Sequence, residues 1–283
     1  MVDLPEMSVM GVVNVTPDSF SDGGRFVGPH GVLDTARAVA HGRELAAAGA
    51  DVLDVGGEST RPGADPVGVA EELRRVIPVV EALAADSGMP VSIDTSKAAV
   101  AEAALRAGAA MVNDVTAGLG DPDLLGVVAA ADAGLVLMHM QGEPRTMQRA
   151  PHYDDVTREV DAHLVARLDA ARAAGVRGDA LLADPGIGFG KNMAHNLELL
   201  ARLSEVREGV AVPLVVGASR KSFLGTVTGQ PTASDRDDAT LATTVWSFTQ
   251  GARMVRVHDV AGSVRIARLL DVLGRATAPG VAA

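Results

Sequence analysis

The chain has 283 residues, 47% hydrophobic and 22% charged, the composition of a globular protein with room for one large α/β domain or two small ones. Its 25 Lys and Arg against 36 Asp and Glu give a formal charge of −11, which argues against nucleic acid or an anionic membrane as the main partner. The absence of cysteine excludes disulfides, thiolate catalysis and Cys-based zinc or iron–sulfur centres.

Short apolar runs alternate with longer Ala/Leu/Val/Arg segments along the chain. The start, Met1 to Glu6, lacks the basic residues and apolar run of a secretory signal. No apolar stretch reaches the roughly 18 residues of a membrane span, so the chain reads as cytoplasmic. The first run ends in Val12-Val13-Asn14, and a long connection, Thr16 to Pro29, precedes a helical segment from about Gly31 to Gly49. Val52-Leu53-Asp54 follows, then a second long connection, Glu58 to Pro66, and a helix over Val69 to Ala85. Ser92-Ile93-Asp94 leads into a helix over Lys97 to Gly108, and Met111-Val112-Asn113-Asp114 into one over Leu124 to Ala133. Gly134 to His139 precedes a helix over Tyr153 to Gly175, in which Val156, Val160, Leu164 and Leu168 recur every four residues as one buried stripe. Leu181-Leu182-Ala183-Asp184 precedes a helix over Asn196 to Arg207. Val215-Val216 continues into Gly217-Ala218-Ser219-Arg220-Lys221 ahead of a helix over Asp237 to Gly251, and Val255-Arg256-Val257-His258-Asp259 closes the series before Gly262 to Leu273.

Runs apolar on consecutive positions are expected of strands covered on both faces. Eight strand–helix units without a long linker predict one (β/α)8 TIM barrel over residues 1–275, with a frayed tail at 276–283. An open doubly wound sheet is the competitor. It gathers its ligand groups at one switch point, whereas nearly every strand here ends in polar residues, which a barrel brings to one C-terminal mouth. Residues 16–29 and 58–66 are then long βα loops 1 and 2 at that mouth, placed to act as lids.

Asp94, Asn113 and Asp184 each follow an apolar run. Singly, each reads equally well as a helix cap or a loop hydrogen bond. Together with Lys221 they supply two carboxylates, an amide and an ammonium, a set that complements the alternating donors and acceptors of a pterin or purine edge. Arg256 and His258 alternate with valines, so both point to one face of the last strand and suit an anion, unless they are ion-paired with Asp259 or another acid. Gly186-Ile187-Gly188-Phe189-Gly190-Lys191 has neither dinucleotide-binding nor Walker spacing and by itself reads as a flexible loop. No His/Asp/Glu spacing suggests zinc or iron. Magnesium needs few protein ligands when a pyrophosphate supplies the others; Asn14 could contribute one, but the residues alone do not show it.

Taken together, Met10 to Gly24, Asp54 to Gly63, Ser92-Ile93-Asp94-Thr95, Asn113-Asp114, Leu137 to Gly142, Asp184 to Phe189, Gly217 to Ser222 and Arg256-Val257-His258-Asp259 resemble the bacterial dihydropteroate synthase family over essentially the whole chain. The resemblance implies a (β/α)8 fold and condensation of 6-hydroxymethyl-7,8-dihydropterin pyrophosphate with 4-aminobenzoate, a step of folate biosynthesis. It assigns the pterin to Asp94, Asn113, Asp184 and Lys221, and the pyrophosphate to Asn14, Arg256 and His258, with Mg2+ shared between Asn14 and phosphate oxygens. Thr60, Arg61, Pro62, Phe189 and Ser222 are expected to shape the aminobenzoate pocket, and Asp94, Lys221, Arg256 and His258 to carry the chemistry. A homodimer and competition by sulfonamides are further implications. Phe20, Phe26 and Phe189 are the candidate stacking surfaces in a chain with 2% aromatic residues. Two rivals are a corrinoid-linked pterin methyltransferase domain and a catalytically silent pterin-binding paralogue. Asp237-Asp238-Ala239-Thr240 and Met193-Ala194-His195 match no motif of the set.

Overall fold

The computed structural model describes residues 4–16, 34–86 and 88–277. Loop 1, with Phe20 and Phe26, lies outside the described residues, as does 278–283. Eight parallel strands carry the apolar runs: β1 Ser8–Asn14, β2 Val52–Gly56, β3 Val91–Asp94, β4 Met111–Asp114, β5 Gly134–Met138, β6 Leu181–Asp184, β7 Val215–Val216 and β8 Met254–Val257. They run in the order β6-β5-β4-β3-β2-β1-β8-β7. The ends of that order meet through one parallel bridge, Ala183 to Leu214, in which the Ala183 N–H donates to the Pro213 carbonyl at 3.0 Å. The result is the expected barrel, joined thinly between β6 and β7.

Among the described residues ten helices cover it: α1 Thr35–Ala47, α2 Val69–Asp86, α3 Ala98–Arg106, α4 Leu124–Ala130, α5 Val156–Ala173, α6 Met193–Ala201, α7 Leu203–Val210, α8 Ser222–Thr228, α9 Asp237–Thr249 and α10 Val260–Thr277. The stripe expected on α5 is present: Val156, Val160, Leu164 and Leu168 are all buried. At its start the Asp155 carboxylate accepts from the Arg158 N–H, and this cap sets the helix three residues beyond the expected Tyr153. The helix expected over 196–207 is two helices that meet at Arg202. Its guanidinium holds Asp155, Glu198 and Glu205, joining the N-terminus of α5 to both pieces. Helix α8 was not expected, and α10 runs through Thr277, past the point where the tail was expected to begin.

Period-two alternation divides the strand residues between two cores. One set packs outward under the helices, among them Val9, Val13, Leu53, Ile93, Val112, Leu135, Leu137 and Leu181. The other, Met10, Val52, Met111, Val136, Leu182, Val215 and Met254, fills the barrel interior as a separate apolar cluster. Two residues further along β2, β4, β6 and β8 the interior turns polar, with Asp54, Asn113, Asp184 and Arg256, and β3 adds Asp94 above a buried Ser92. The backbone register aligns these groups: Asp94 pairs with Asn113 and Gly56, and Arg256 with Met10.

Candidate active site

The polar layer begins with Asp54, fully buried on β2. One of its oxygens, Oδ2, accepts from Arg256 Nε at 2.6 Å and from Asn113 Nδ2 at 3.0 Å. Arg256 turns its Nη2 to Asp94 Oδ2 at 2.8 Å. Four strands are thereby tied through one guanidinium, two carboxylates and an amide. On β6, Asp184 Oδ1 accepts from the Gly186 N–H at 2.7 Å, and its other oxygen lies 3.6 Å from where a Cβ on Gly217 would stand. Gly217 is thus the neighbour that leaves this carboxylate room. Asn14 ends β1 beside Gly56, with its side-chain oxygen and Asp94 Oδ2 at 3.8 and 3.6 Å from the same virtual Cβ.

Lys221 enters from the turn after β7. Its ammonium donates to the Ile187 carbonyl and stands 4.3 Å from the Phe189 ring centroid, a cation–π contact. The turn is held from outside. Arg220 adopts φ +57°, and its guanidinium forms a two-pronged pair with Asp237 at 2.7 and 2.8 Å. Its N–H donates to Thr240 Oγ1 at 3.0 Å and its carbonyl accepts from Arg236. The unassigned Asp237-Asp238-Ala239-Thr240 segment is therefore the buttress of the Lys221 turn. Met193-Ala194-His195 is likewise structural: Asn192 and His195 form a capping box that starts α6.

His258 follows β8. The Ser219 hydroxyl accepts from the His258 N–H at 3.2 Å and lies 2.9 Å from its Nδ1. Burial, then the positive charges of Arg220, Arg256 and Arg61, hold His258 well below the usual histidine range. Burial pushes Asp94 up to about 7, with Asp54, Glu72 and Asp114 adding to the effect and Arg256 opposing it. Asp184 is raised by burial against the pull of Lys221. Lys221 is lowered by burial to about 7, with Asp184 opposing. For Arg256, burial works against the charge, but Asp54 and Asp94 outweigh it and lift the guanidinium above the ordinary arginine value.

Thr60, Arg61 and Pro62 lie in the β2–α2 connection. Its base is anchored by Lys97, which pairs with both Glu58 and the buried Glu72, and Glu72 in turn accepts from Thr95 Oγ1 at 2.7 Å. Its tip leans on the β5–α5 connection, where the Gly63 N–H donates to the Pro144 carbonyl at 3.0 Å. From the other side of that connection Gln148 donates to the Gly188 carbonyl at 2.6 Å. The segment after β5 thus links the Thr60–Pro62 stretch to the loop bearing Phe189. Ser222 is exposed at the start of α8, next to Lys221.

The glycine-rich loop after β6 is not the flexible segment that its spacing suggested. Gly186, Gly188 and Gly190 all have positive φ, and a Cβ would stand 1.8 Å from the His139 carbonyl oxygen, 2.8 Å from Lys221 Cδ and 2.3 Å from the Gln141 carbonyl oxygen respectively. Each glycine is where backbone or a long side chain comes too close for any other residue. Reading the sequence also gave no role to the buried charged groups Asp54, Glu72 and Lys191. Asp54 ends its apolar run as Asp94 and Asp184 end theirs, so the same signal would have found it.

A parallel barrel whose mouth presents carboxylates, an amide, an ammonium and a guanidinium over an apolar plug defines a class of enzymes that bind polar heterocycles. The sequence profile of the pterin binding enzyme family matches residues 10–258, and the chain belongs to that family. It is 46% identical over 270 residues to the dihydropteroate synthase of Escherichia coli (strain K12), covering 95% of this chain and 93% of that one. A structure of the Yersinia pestis dihydropteroate synthase in a sulfonamide drug complex superposes with a TM-score of 0.89 at 43% identity, covering 95% of each chain. The Xanthomonas albilineans dihydropteroate synthase with 4-aminobenzoic acid gives a TM-score of 0.87 at 47% identity, covering 98% of this chain and 95% of that one.

Proposed function

We propose that the chain is a dihydropteroate synthase, joining 6-hydroxymethyl-7,8-dihydropterin pyrophosphate to 4-aminobenzoate and releasing pyrophosphate. The observation that carries this reading is the meeting of Asp94, Asn113, Asp184 and Lys221, from four separate segments, around the Asp54–Arg256 pair at one mouth. The relatives' identity and coverage support it.

Asp184 and Asn113 accept from and donate to the pyrimidine edge of the pterin, and Lys221 donates to its ring oxygen and N5. Both reacting groups are held in line, and the aniline nitrogen attacks the exocyclic methylene directly, so no protein nucleophile is required. Positive charge developing on the pterin methylene is stabilised by Asp94, while Arg256 and His258 take the charge gathering on the leaving pyrophosphate. Thr60, Arg61, Pro62, Phe189 and Ser222 shape the aminobenzoate side, and sulfonamides compete there.

Asn14 is a hard oxygen donor at the mouth beside Asp94, and among the described residues no cluster of three His, Asp or Glu offers a closed cation cage. That donor set fits Mg2+ held mostly by phosphate oxygens and water, which would supply further neutralisation of the leaving group. The protein acts in the cytoplasm as a homodimer. Exposed Val245 and Trp246 on α9 and Leu269, Val272 and Leu273 on α10, two helices packed against each other, support a partner on that side.

The test is pyrophosphate release from the dihydropterin pyrophosphate, with and without 4-aminobenzoate and Mg2+, beside Lys221→Ala. Dihydropteroate formation that needs magnesium and is lost in the variant is expected. Folded protein that binds the pterin and forms no product would make it a silent paralogue. Methyl transfer from an added methylated pterin to an added corrinoid, with no pyrophosphate released from the dihydropterin pyrophosphate, would instead favour the corrinoid-linked methyltransferase reading.

A further inference from the structure

Lys191 is 2% exposed, and among the described residues no carboxylate pairs with it. A buried ammonium without a counterion is costly unless its donors are all used. They are: Lys191 Nζ lies 2.9 Å from the Gly186 carbonyl oxygen, 3.1 Å from that of Phe189 and 2.9 Å from His139 Nδ1. The His139 carbonyl is a fourth acceptor at 3.5 Å, and an ammonium here donates to Nδ1, the ring then keeping its proton on Nε2. Burial, then the neighbouring Lys221 charge, lower the Lys191 pKa, with Asp184 opposing. A neutral amine would satisfy the same three contacts by accepting from His139 Nδ1–H, so the geometry survives either protonation state.

The two carbonyls gripped by Lys191 bracket Ile187 and Gly188, the turn of the loop. The Ile187 carbonyl accepts from Lys221, and Phe189 supplies the ring under the same ammonium. The far end of the loop is held from the same side, where Tyr153 Oη donates to the Gly190 carbonyl at 2.8 Å. Asp184 is held by its strand and meets the loop at the Gly186 N–H. Lys191 therefore has its grip on the part of the loop that serves Phe189 and Lys221, one turn away from the pterin carboxylate.

We infer that Lys191 is a positioning residue for the aminobenzoate side of the site: by tying the Gly186 and Phe189 carbonyls to His139, it sets the Ile187 carbonyl and the Phe189 ring between which Lys221 is seated. This rests on the proposed synthase reading for its kinetic consequence but not for the knot itself.

Lys191→Met, close in length and apolar, tests it, with Tyr153→Phe as a gentler cut to the same loop. The expected result for Lys191→Met is a rise of at least tenfold in the 4-aminobenzoate KM, a smaller rise in the dihydropterin pyrophosphate Kd by calorimetry through the displaced Lys221, and faster amide exchange in the peptide spanning 186–190. Tyr153→Phe should move the aminobenzoate KM the same way by about threefold. A Lys191→Met protein that has lost only thermal stability, with the aminobenzoate KM and exchange at 186–190 unchanged, overturns the inference. If Lys191→Met does not fold, Tyr153→Phe decides by the same KM. If the parent forms no dihydropteroate, the functional reading fails, while exchange at 186–190 still tests the knot.

Discussion

The lower and upper halves of the barrel interior have opposite chemistry, and on β2, β4, β6 and β8 the two lie only two residues apart. Below, Met10, Val52, Met111, Leu182, Val215 and Met254 make a dry plug. Above, Asp54, Asp94, Asn113, Asp184 and Arg256 keep charge and hydrogen-bonding capacity where water is largely excluded. The plug stabilises the fold. The polar layer is held in place partly against its own preferences, as the raised carboxylates Asp94 and Asp184 and the lowered Lys221 record. Stability and activity should therefore separate by depth along a strand.

The sharpest cut is Lys221→Ala, expected to reduce kcat/KM by about 100- to 1000-fold, the loss typical of removing one electrostatic donor, with little change in Tm. A comparable loss of stability would join the two layers. The converse is Met111→Ala in the plug, expected to lower unfolding free energy by about 2–5 kcal/mol in denaturant titrations while the folded fraction keeps its kcat/KM. Phe189→Ala should raise the aminobenzoate KM by about tenfold, since a lost aromatic contact is worth about 1 kcal/mol beyond its buried area. Unchanged kinetics would remove Phe189 from the pocket.

Acidity gives the finest separation. Asp94 must be ionised to stabilise a cation and Lys221 protonated to donate, and both lie near 7, so kcat/KM should rise through neutrality with one and fall with the other in a narrow bell. A broad plateau would show that these groups do not govern the rate. The same Asp94 shift bears on stability. Its pKa is higher folded than unfolded, so the native state binds the proton more tightly and loses stability as pH climbs from about 4 to about 7. Asp94→Asn removes that loss. The Tm of the variant relative to its parent should therefore increase by a few degrees between pH 5 and pH 8, although the variant is inactive.

Much of this arrangement could be read in the chain before the fold was known, for a physical reason. A strand covered on both faces must be apolar throughout, so the residue at which it turns polar marks the mouth, and Asp94, Asn113 and Asp184 announce themselves that way. Arg256 was legible by alternation with valine, and its pairing with Asp54 and Asp94 gives the other acids that the ion-pair alternative required, in place of Asp259. Lys191 was not legible. A lysine after three spaced glycines looks solvated, and its burial depends on His139, 52 residues earlier in the chain, closing over it. The break between α6 and α7 was hidden for the same kind of reason, since Arg202 finds Asp155 from a distant helix.

The single bridge between Ala183 and Leu214 makes the barrel, mechanically, a rolled sheet clasped at one point. Asp184 stands on one lip of that join, and Gly217 to Lys221 continue from the other. A ligand gripped by Asp184 on one side and Lys221 on the other, as a pterin is in the proposed reaction, is a second clasp across the same gap, so filling the site also completes the hoop.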